Sequence, residues 1–512
     1  MTLRDNCYII DTAVGNSVLL PDKKERIILK TKTMTPKKLK KIQVKREKEI
    51  AKWEKEKARP KRNYYFAYLV LIICIIYATD EIASQISTLM KTEIANDLFS
   101  KFGESSVGLL DILSILVVPF QALGLLYRPL ADKWGRKKFL IINTFGMSFA
   151  MFVVFLSGNL VMYFIGACMI QFFIPHDMHV VYIMESSPTK SRARVYSVIK
   201  FFANMAVMLV PLLRRLLMAE ASQWRNVYLI PAIVGIVTSL IALLFAREPD
   251  TFIDSRLRYL RMSDEERRLE EESKKTENAQ GGLIPALKFA MKHRQLKWLY
   301  ITSAIANLGF IGTINYQVIM SYGYAENFFG KGLFESLDAA LEAVSIGDVT
   351  TALFMFPVGC AVSQVIMGFI SDSKGRKAAA ITTAFDCLLF FILFSVGASM
   401  AWNPYLVGFC CGAFIGSYYS TNDVIIMMIG ESSPTNLRSS TMSAQFIVTA
   451  VGVAISYIIS LPLITILGNT VTGVVSFALL VPGFIIALFA LIRKTNETKG
   501  IDMDTVTGCE WD

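Results

Sequence analysis

One charged loop occurs twice in this chain, each time between two apolar stretches. The first copy reads Arg128-Pro-Leu-Ala-Asp132-Lys-Trp-Gly135-Arg136-Lys137-Lys138, and the second Gly368-Phe-Ile-Ser-Asp372-Ser-Lys-Gly375-Arg376-Lys377. Asp132 and Asp372 stand 240 residues apart, close to half of the 512. A second pair, Glu185-Ser-Ser-Pro188-Thr-Lys-Ser-Arg192 and Glu431-Ser-Ser-Pro434-Thr-Asn-Leu-Arg438, repeats at an offset of 246. Two independent markers at nearly one offset require two homologous halves.

What those halves are made of follows from composition. Hydrophobic residues make up 53% of the chain and the mean hydropathy is +0.45, which places it in a membrane. The formal charge of +11 is carried by a tail. Residues 1–62 hold 19 Lys/Arg against 8 Asp/Glu, and the remaining 450 residues hold 34 of each. The basic balance therefore gives no support to a nucleic-acid-binding core, and no nucleic-acid partner is expected. Six of the eight cysteines, Cys74, Cys168, Cys360, Cys387, Cys410 and Cys411, fall inside apolar segments. Their spacing forms neither a disulfide framework nor a metal-ligand set, so no metal is expected. The N-terminus is polar and then basic, unlike a cleavable signal peptide.

The spacing predicts twelve apolar spans of about 20 residues each. Their expected limits are 64–86, 107–127, 138–157, 160–184, 195–214 and 226–246, then 297–320, 347–370, 378–398, 403–429, 440–464 and 471–492. The expected divisions are a basic tail (1–62), an N-terminal six-helix bundle (63–246), a charged linker with short helices (247–296), a C-terminal bundle (297–493) and a final tail (494–512). In the first tail, Thr35-Pro36 can start a helix reaching about Ala58. Its thin stripe of Leu39, Ile42, Ile50 and Trp53 fits either a helix resting on anionic lipid headgroups or a solvated segment. In the linker, Ser263-Asp-Glu-Glu266 is a capping-box helix start.

Loop charges set the orientation. Lys133, Arg136, Lys137, Lys138, Lys190, Arg192, Arg194, Arg247, Lys374, Arg376, Lys377 and Arg438 all fall on one side. The longest loop of the other side, 321–346, holds four carboxylates and one lysine. The positive-inside rule then puts both termini in the cytoplasm of a multi-pass protein, in a plasma or bacterial inner membrane.

The motif Gly-x-x-x-Asp-x-x-Gly-Arg-Lys between spans 2 and 3, repeated between spans 8 and 9, resembles the signature loop of the major facilitator superfamily. Glu-x-x-Pro-x-x-x-Arg after spans 4 and 10, Glu497-Thr498-Lys499-Gly500 after the last span, and Trp224-Arg225 before the sixth are similar to its sugar-porter-like branch. The resemblance covers about residues 64–505. It implies an all-α membrane protein with twelve transmembrane helices in two pseudo-symmetric six-helix bundles. It further implies that Asp132, Gly135, Arg136, Glu185 and Arg192 form a cytoplasmic gate in one half. Asp372, Gly375, Arg376, Glu431 and Arg438 would form its counterpart. Each loop sets a carboxylate beside guanidinium groups, where charge-assisted pairs form and later break as the halves rock. Static bracing is the alternative. Arg128-Pro129 departs from the family's leading glycine, so an altered gate is expected in the first half.

Ionisable and polar groups inside spans mark candidates for solute and proton. Asp80 and Glu81 lie late in span 1, and Asp80 falls near an aspartate that many proton-coupled sugar porters carry. The arginine expected to partner it in span 4 is absent, where the chain reads Tyr163-Phe-Ile-Gly-Ala-Cys168. A desolvated carboxylate without that cation suits proton uptake, and a wetted helix end is the competing reading. Span 4 carries His176, Asp177 and His179, and Asp177 maps at the same offset of 246 onto Asp423. These are protonation candidates or members of the gate network. Asn307, Asn315, Tyr316 and Gln317 in span 7, with Tyr418, Tyr419 and Asn422 in span 10, are candidates to line a central cavity. The stretch from Asn315 to Tyr322 resembles a sugar-porter region, but the paired glutamines that precede it there are replaced by Gly309-Phe310, which weakens sugar as the solute. Lys200 and Asp386 would bind a charged solute or pair with neighbours.

The expectation is a monomeric secondary active transporter. It would move a small polar organic solute, sugar-like or an organic acid, by alternating access as a proton-coupled symporter. No cofactor is expected beyond the proton as coupling ion. A facilitative uniporter and a proton-driven efflux pump are the alternatives within the class. A transport-inactive receptor or sensor is the alternative outside it. An enzyme is excluded because no nucleophile with a base, phosphate loop or metal-ligand set is present.

Overall fold

The computed structural model describes residues 36–60, 64–127, 135–173, 182, 185–186, 192–263, 265–267, 269, 283–434 and 438–501. Among these, every regular element is a helix. In chain order they are α1 (Pro36–Ala58), α2 (Tyr65–Leu89), α3 (Lys91–Leu98), α4 (Ser106–Tyr127), α5 (Arg136–Phe155) and α6 (Leu160–Phe173). The fifth span is shared by α7 (Arg192–Ala206) and α8 (Leu209–Leu217), and the sixth is α9 (Leu229–Phe245). Next come α10 (Asp250–Arg261) and α11 (Leu283–Lys292). The seventh span is broken into α12 (Arg294–Ala306), α13 (Phe310–Ile314) and α14 (Tyr316–Gly330). After α15 (Leu337–Ile346) follow α16 (Asp348–Lys374), α17 (Arg376–Ser399), α18 (Pro404–Glu431), α19 (Arg438–Leu467) and α20 (Thr472–Lys494).

Helix thus occurs in each of the twelve expected spans, and among the described residues seven helices are long and apolar enough by length and composition to cross a membrane. Large apolar side chains such as Leu244, Phe369, Phe446 and Ile466 face outward. That pattern suits hydrocarbon, where each helix satisfies its own backbone. Several spans sit on small residues. Gly408, Gly412 and Gly416 form a stripe at four-residue spacing along α18. A Cβ on them would lie 1.7 Å from the Ala352 carbonyl, 1.9 Å from that of Phe356 and 2.8 Å from that of Cys360, all on α16. Glycine there lets the two backbones touch, as close helix pairs in lipid require.

The described residues form two compact units. The smaller unit pairs α1 with α10. Trp53, 3% exposed, meets the Phe252 ring edge-on at 5.5 Å, with Ile253, Leu257 and Leu260 around it. Glu49 pairs with Arg256 at 2.8 Å and Glu54 with Arg261 at 2.7 Å. The sequence reading separates the tail from the linker and leaves the Trp53 stripe for lipid or water. Here α10, from the linker, covers Ile50 and Trp53. The linker's capping box forms in full, with Ser263 N donating to Glu266 Oε2 at 2.8 Å and Glu266 N to Ser263 Oγ at 3.2 Å.

The larger unit holds all other helices. Its helices run between two faces: one carries Gly135 and Gly375 at the starts of α5 and α17, and the other carries α3, α8 and α15.

Candidate functional site

At the signature face the two halves repeat one construction. Arg136 donates to Glu185 at 3.2 Å, and Arg376 donates to Glu431 at 3.1 Å. Arg376 also pairs with Asp372 at 3.3 Å. Gly135 and Gly375 precede α5 and α17 with φ of 113° and 110°, a region that glycine alone enters without strain. Each leaves room for a carboxylate from just past the last span of its own half. Glu248 accepts the Lys137 N–H at 3.0 Å, while Glu497 accepts those of Arg376 at 2.7 Å and Lys377 at 3.0 Å. A carboxylate at a helix N-terminus meets free N–H donors and the positive end of the dipole. The two carboxyls respond differently. Burial pushes Glu248 above the ordinary glutamate value, against the pull of the Lys137 and Arg136 N–H groups. Desolvation opposes ionisation at Glu497 too, but N–H donors from Lys499, Arg376, Lys377 and Thr498 hold it below that value.

The gate candidates Arg136, Glu185, Asp372, Arg376 and Glu431 therefore meet in pairs, each pair within one half. Asp132, with the Arg128-Pro129 departure, lies outside the described residues, and the side chains of Arg192 and Arg438 do too.

At the opposite face, buried charges of the first half reach the second half through hydrogen bonds, and both described ion pairs among them lie within the first half. The first span stops at Leu89 and restarts at α3, burying Lys91 (5% exposed), Thr92 (1%) and Glu93 (2%). Lys91 forms an ion pair with Asp111 of α4, which is 0% exposed, and donates to the Ile314 carbonyl at 3.1 Å. Asp111 also accepts from Asn315 Nδ2 at 3.0 Å. The broken seventh span supplies both partners: Ile314 ends α13, and Asn315 is the non-helical residue before α14. Breaks of this kind free backbone and polar groups in the protein interior.

A second buried pair lies beside the first. Arg214 of α8, 1% exposed, pairs with Glu93. Its other donors reach Leu89 O at 2.7 Å, Thr350 Oγ1 at 3.1 Å and the Ser345 carbonyl. Leu89 and Ser345 lie in the last turns of α2 and α15, where carbonyls lack helical partners and the dipole favours a cation. Gln317 completes the join. Its oxygen accepts from Thr92 N at 2.8 Å and Thr92 Oγ1 at 2.9 Å, and its amide donates to Glu93 Oε2 at 3.2 Å. Asn469 adds a third tie, accepting from Val107 N at 3.0 Å and donating to Tyr322 OH at 2.8 Å. Trp224 and Arg225 converge on Asp97, at 3.1 Å and 2.7 Å.

Between this network and the signature face lies a cavity of about 270 Å³, between the halves. Ser84, Ser87, Thr88 and Lys91 line it from the first half, with Ser114, Tyr163 and Gln171. Phe310, Ile314 and Tyr457 line it from the second.

The sequence candidates divide accordingly. Asn315 and Gln317 belong to the network. Asn307, Tyr418 and Asn422 come together within the second half, Tyr418 OH donating to Asn307 at 2.6 Å and Asn307 to Asn422 at 2.9 Å. Tyr316 stacks on Phe356 at 4.8 Å. Tyr419 packs edge-on against Tyr418 and is exposed. Asp80 and Glu81 are half-buried on α2. Asp386 is half-buried on α17 and makes no hydrogen bond or ion pair among the described residues, while Asp423 is exposed on α18. His176, Asp177 and His179 fall outside the described residues, as does the side chain of Lys200. The sequence reading missed Lys91, Glu93, Asp111 and Arg214. Asp111 and Arg214 stand inside the expected spans, so the cost of an ionisable group in hydrocarbon was the available signal.

Comparison with known proteins places the chain. The family model of the Major Facilitator Superfamily matches residues 63–427. No curated protein sequence matches significantly. Among solved structures, the nucleoside transporter NupG superposes with a TM-score of 0.55 at 14% identity, over 83% of this chain and 98% of that one. The xylose transporter XylE from E. coli, in an inward open conformation, gives 0.51 at 13% identity over 86% and 99%. A bacterial homolog of the human lysosomal transporter Spinster gives 0.51 at 15% identity over 84% and 96%. At such identities these likenesses speak for the fold alone, and their differing cargoes do not single out a sugar-porter branch. Taken with the duplicated loops and the twelve helical spans, the family match identifies this chain as a member of the major facilitator superfamily: an integral multi-pass membrane transporter and not an enzyme.

Proposed function

We propose that the protein is a secondary active transporter that moves a small polar organic solute by alternating access, with a proton travelling alongside. The observation that carries this reading is the buried network at the opposite face. Its charged side chains tie the two halves by hydrogen bonds to Ile314, Asn315, Gln317, Ser345 and Thr350, beside a part-polar, part-apolar cavity that both halves line. A static fold has no need for four buried charges at its midline, since apolar packing is as stable or more so. A clasp that opens has such a need, because its members stay soluble when exposed. Loop charge supports placing both termini in the cytoplasm, which makes this the extracytoplasmic gate. Asp80 and Asp111 are the candidate carboxylates for the proton.

The test is uptake into proteoliposomes of labelled sugars, organic acids and amino acids, with and without an inward proton gradient. Asp80→Asn is run beside the native chain. Gradient-dependent uptake supports symport, and its loss in the variant assigns the proton to Asp80. Uptake indifferent to the gradient replaces symport by facilitated diffusion. No uptake of any solute leaves a receptor as the reading.

A further inference from the structure

We propose that the solute is a small monocarboxylate, and that it binds by taking the place of Asp111 on Lys91. This rests on the transport reading above and gives it a substrate class. Lys91 is the one charged residue among the described residues lining the cavity. An ammonium has three donors, and its described partners, Asp111 and the Ile314 carbonyl, take two. Three further polar groups line the same space without a side-chain hydrogen bond among the described residues: Thr88, Gln171 and Tyr457. The volume, about 270 Å³, admits a compact hydroxy or keto acid. A cationic solute would meet an ammonium whose counter-charge is already engaged. A neutral one would gain a single N–H.

The exchange balances in charge. Buried Lys91 needs one anion beside it, and either Asp111 or a solute carboxylate can serve. When the solute takes that place, Asp111 would be left buried and unpaired unless it accepts a proton. The groups around Asp111 among the described residues are Lys91 from α3, Asn315 from the break in the seventh span and Tyr457 from α19, with Glu93, two residues after Lys91, paired to Arg214 of α8. None of them supplies a second cation free to hold Asp111 ionised. One carboxylate and one proton therefore enter together, with no net charge moved. The same exchange weakens the Asn315 bond to Asp111, one of the ties between the halves, and so loosens the clasp. Cargo and proton together are the key to the gate.

The experiment uses the full chain in proteoliposomes with an inward proton gradient. The probes are lactate, pyruvate and 3-hydroxybutyrate, beside lactamide, glycerol, xylose and glycine. The expected result is uptake of the carboxylates and not of lactamide, stimulated by the gradient and unchanged when the membrane potential is clamped. Lys91→Gln should weaken carboxylate affinity about 10- to 100-fold, the range for losing a hydrogen bond to a charged group. Lys91→Arg should keep part of it. Asp111→Asn should keep binding and lose its dependence on pH. Should Lys91→Gln melt too low to assay, the double variant Lys91→Gln with Asp111→Asn, which buries no charge, takes its place. Uptake of xylose, glycine or lactamide but not carboxylates overturns the substrate class while leaving transport standing. So does carboxylate uptake unaffected by Lys91→Gln. Failure of every probe to move would bring down the transport reading itself.

Discussion

Removing the guanidinium of Arg214 should tilt the balance between the two access states. In Arg214→Gln two of the lost hydrogen bonds cross between halves, those to the Ser345 carbonyl and to Thr350 Oγ1. A buried hydrogen bond to a charged group contributes about 1.5–3 kcal/mol. Taking the lower end for both gives ~3 kcal/mol, or about 100-fold in the ratio of clasped to open opposite face. Glu93 is also left with Gln317 as its described partner, so the fold itself should lose about 3–5 kcal/mol, as when one member of a buried pair is removed. Changing both, Arg214→Gln with Glu93→Gln, should restore most of the melting temperature without restoring the clasp. The assay is the distance between spin labels at Phe102→Cys and Leu333→Cys, exposed positions on the opposite face of the two halves. The native chain should give a short, narrow distribution, and Arg214→Gln a second, longer population. An unchanged distribution in a folded Arg214→Gln protein would refute the argument that these charges hold the halves together.

Gly375→Ala should lower the melting temperature, since a Cβ there needs φ of 110° and meets the Glu497 carboxylate at 2.4 Å. Gly330→Ala, with nothing within 4 Å, should leave it within about ±0.5 kcal/mol. The glutamates of the signature face should part company in acid. Glu497 is held below its ordinary value of 4.5, so its stabilisation is present above that pH and is lost as pH falls through the lowered value. Melting of Glu497→Gln should therefore trail the native chain at pH 7 and converge with it on acidification. Glu248 is raised, so its ionised form carries a cost at neutral pH, and Glu248→Gln should be the milder change at pH 7. In the smaller unit, Trp53→Ala should cost about 3–5 kcal/mol of local stability, read as faster proteolysis between α1 and α10.

The helices were readable because a span in lipid must be long, apolar and self-bonded, and each of those demands is local. The same holds for Pro36 opening α1 and for the Ser263–Glu266 box, whose partners sit within one turn. The signature loops were readable because the chain states them twice. The clasp was not, for the opposite reason. Arg214 is 121 residues from Glu93, and Gln317 is 225 from Thr92, so no spacing links them. Lys91 and Glu93 look like loop charges in sequence, since an apolar count stops before them. Only the turn at Met90 shows that the chain continues inward. Span 7 was read as one helix, yet its value lies in the break at Asn315, which hands Ile314 O and an amide to the other half. Glu248 stayed unnoticed although Glu497 stood out, because only the latter sits in a motif resembling the family's.

The closure of Gly135 by Glu248 and of Gly375 by Glu497 has a bearing on how the protein is made. Each glutamate follows directly on the last span of its own half. By the time residue 249 leaves the ribosome, the first half owns every part of its own latch and can complete it before the second half is translated. Each half is then a self-finishing translation product. A chain severed between residues 272 and 282 and expressed as two polypeptides should yield two latched halves ready to assemble.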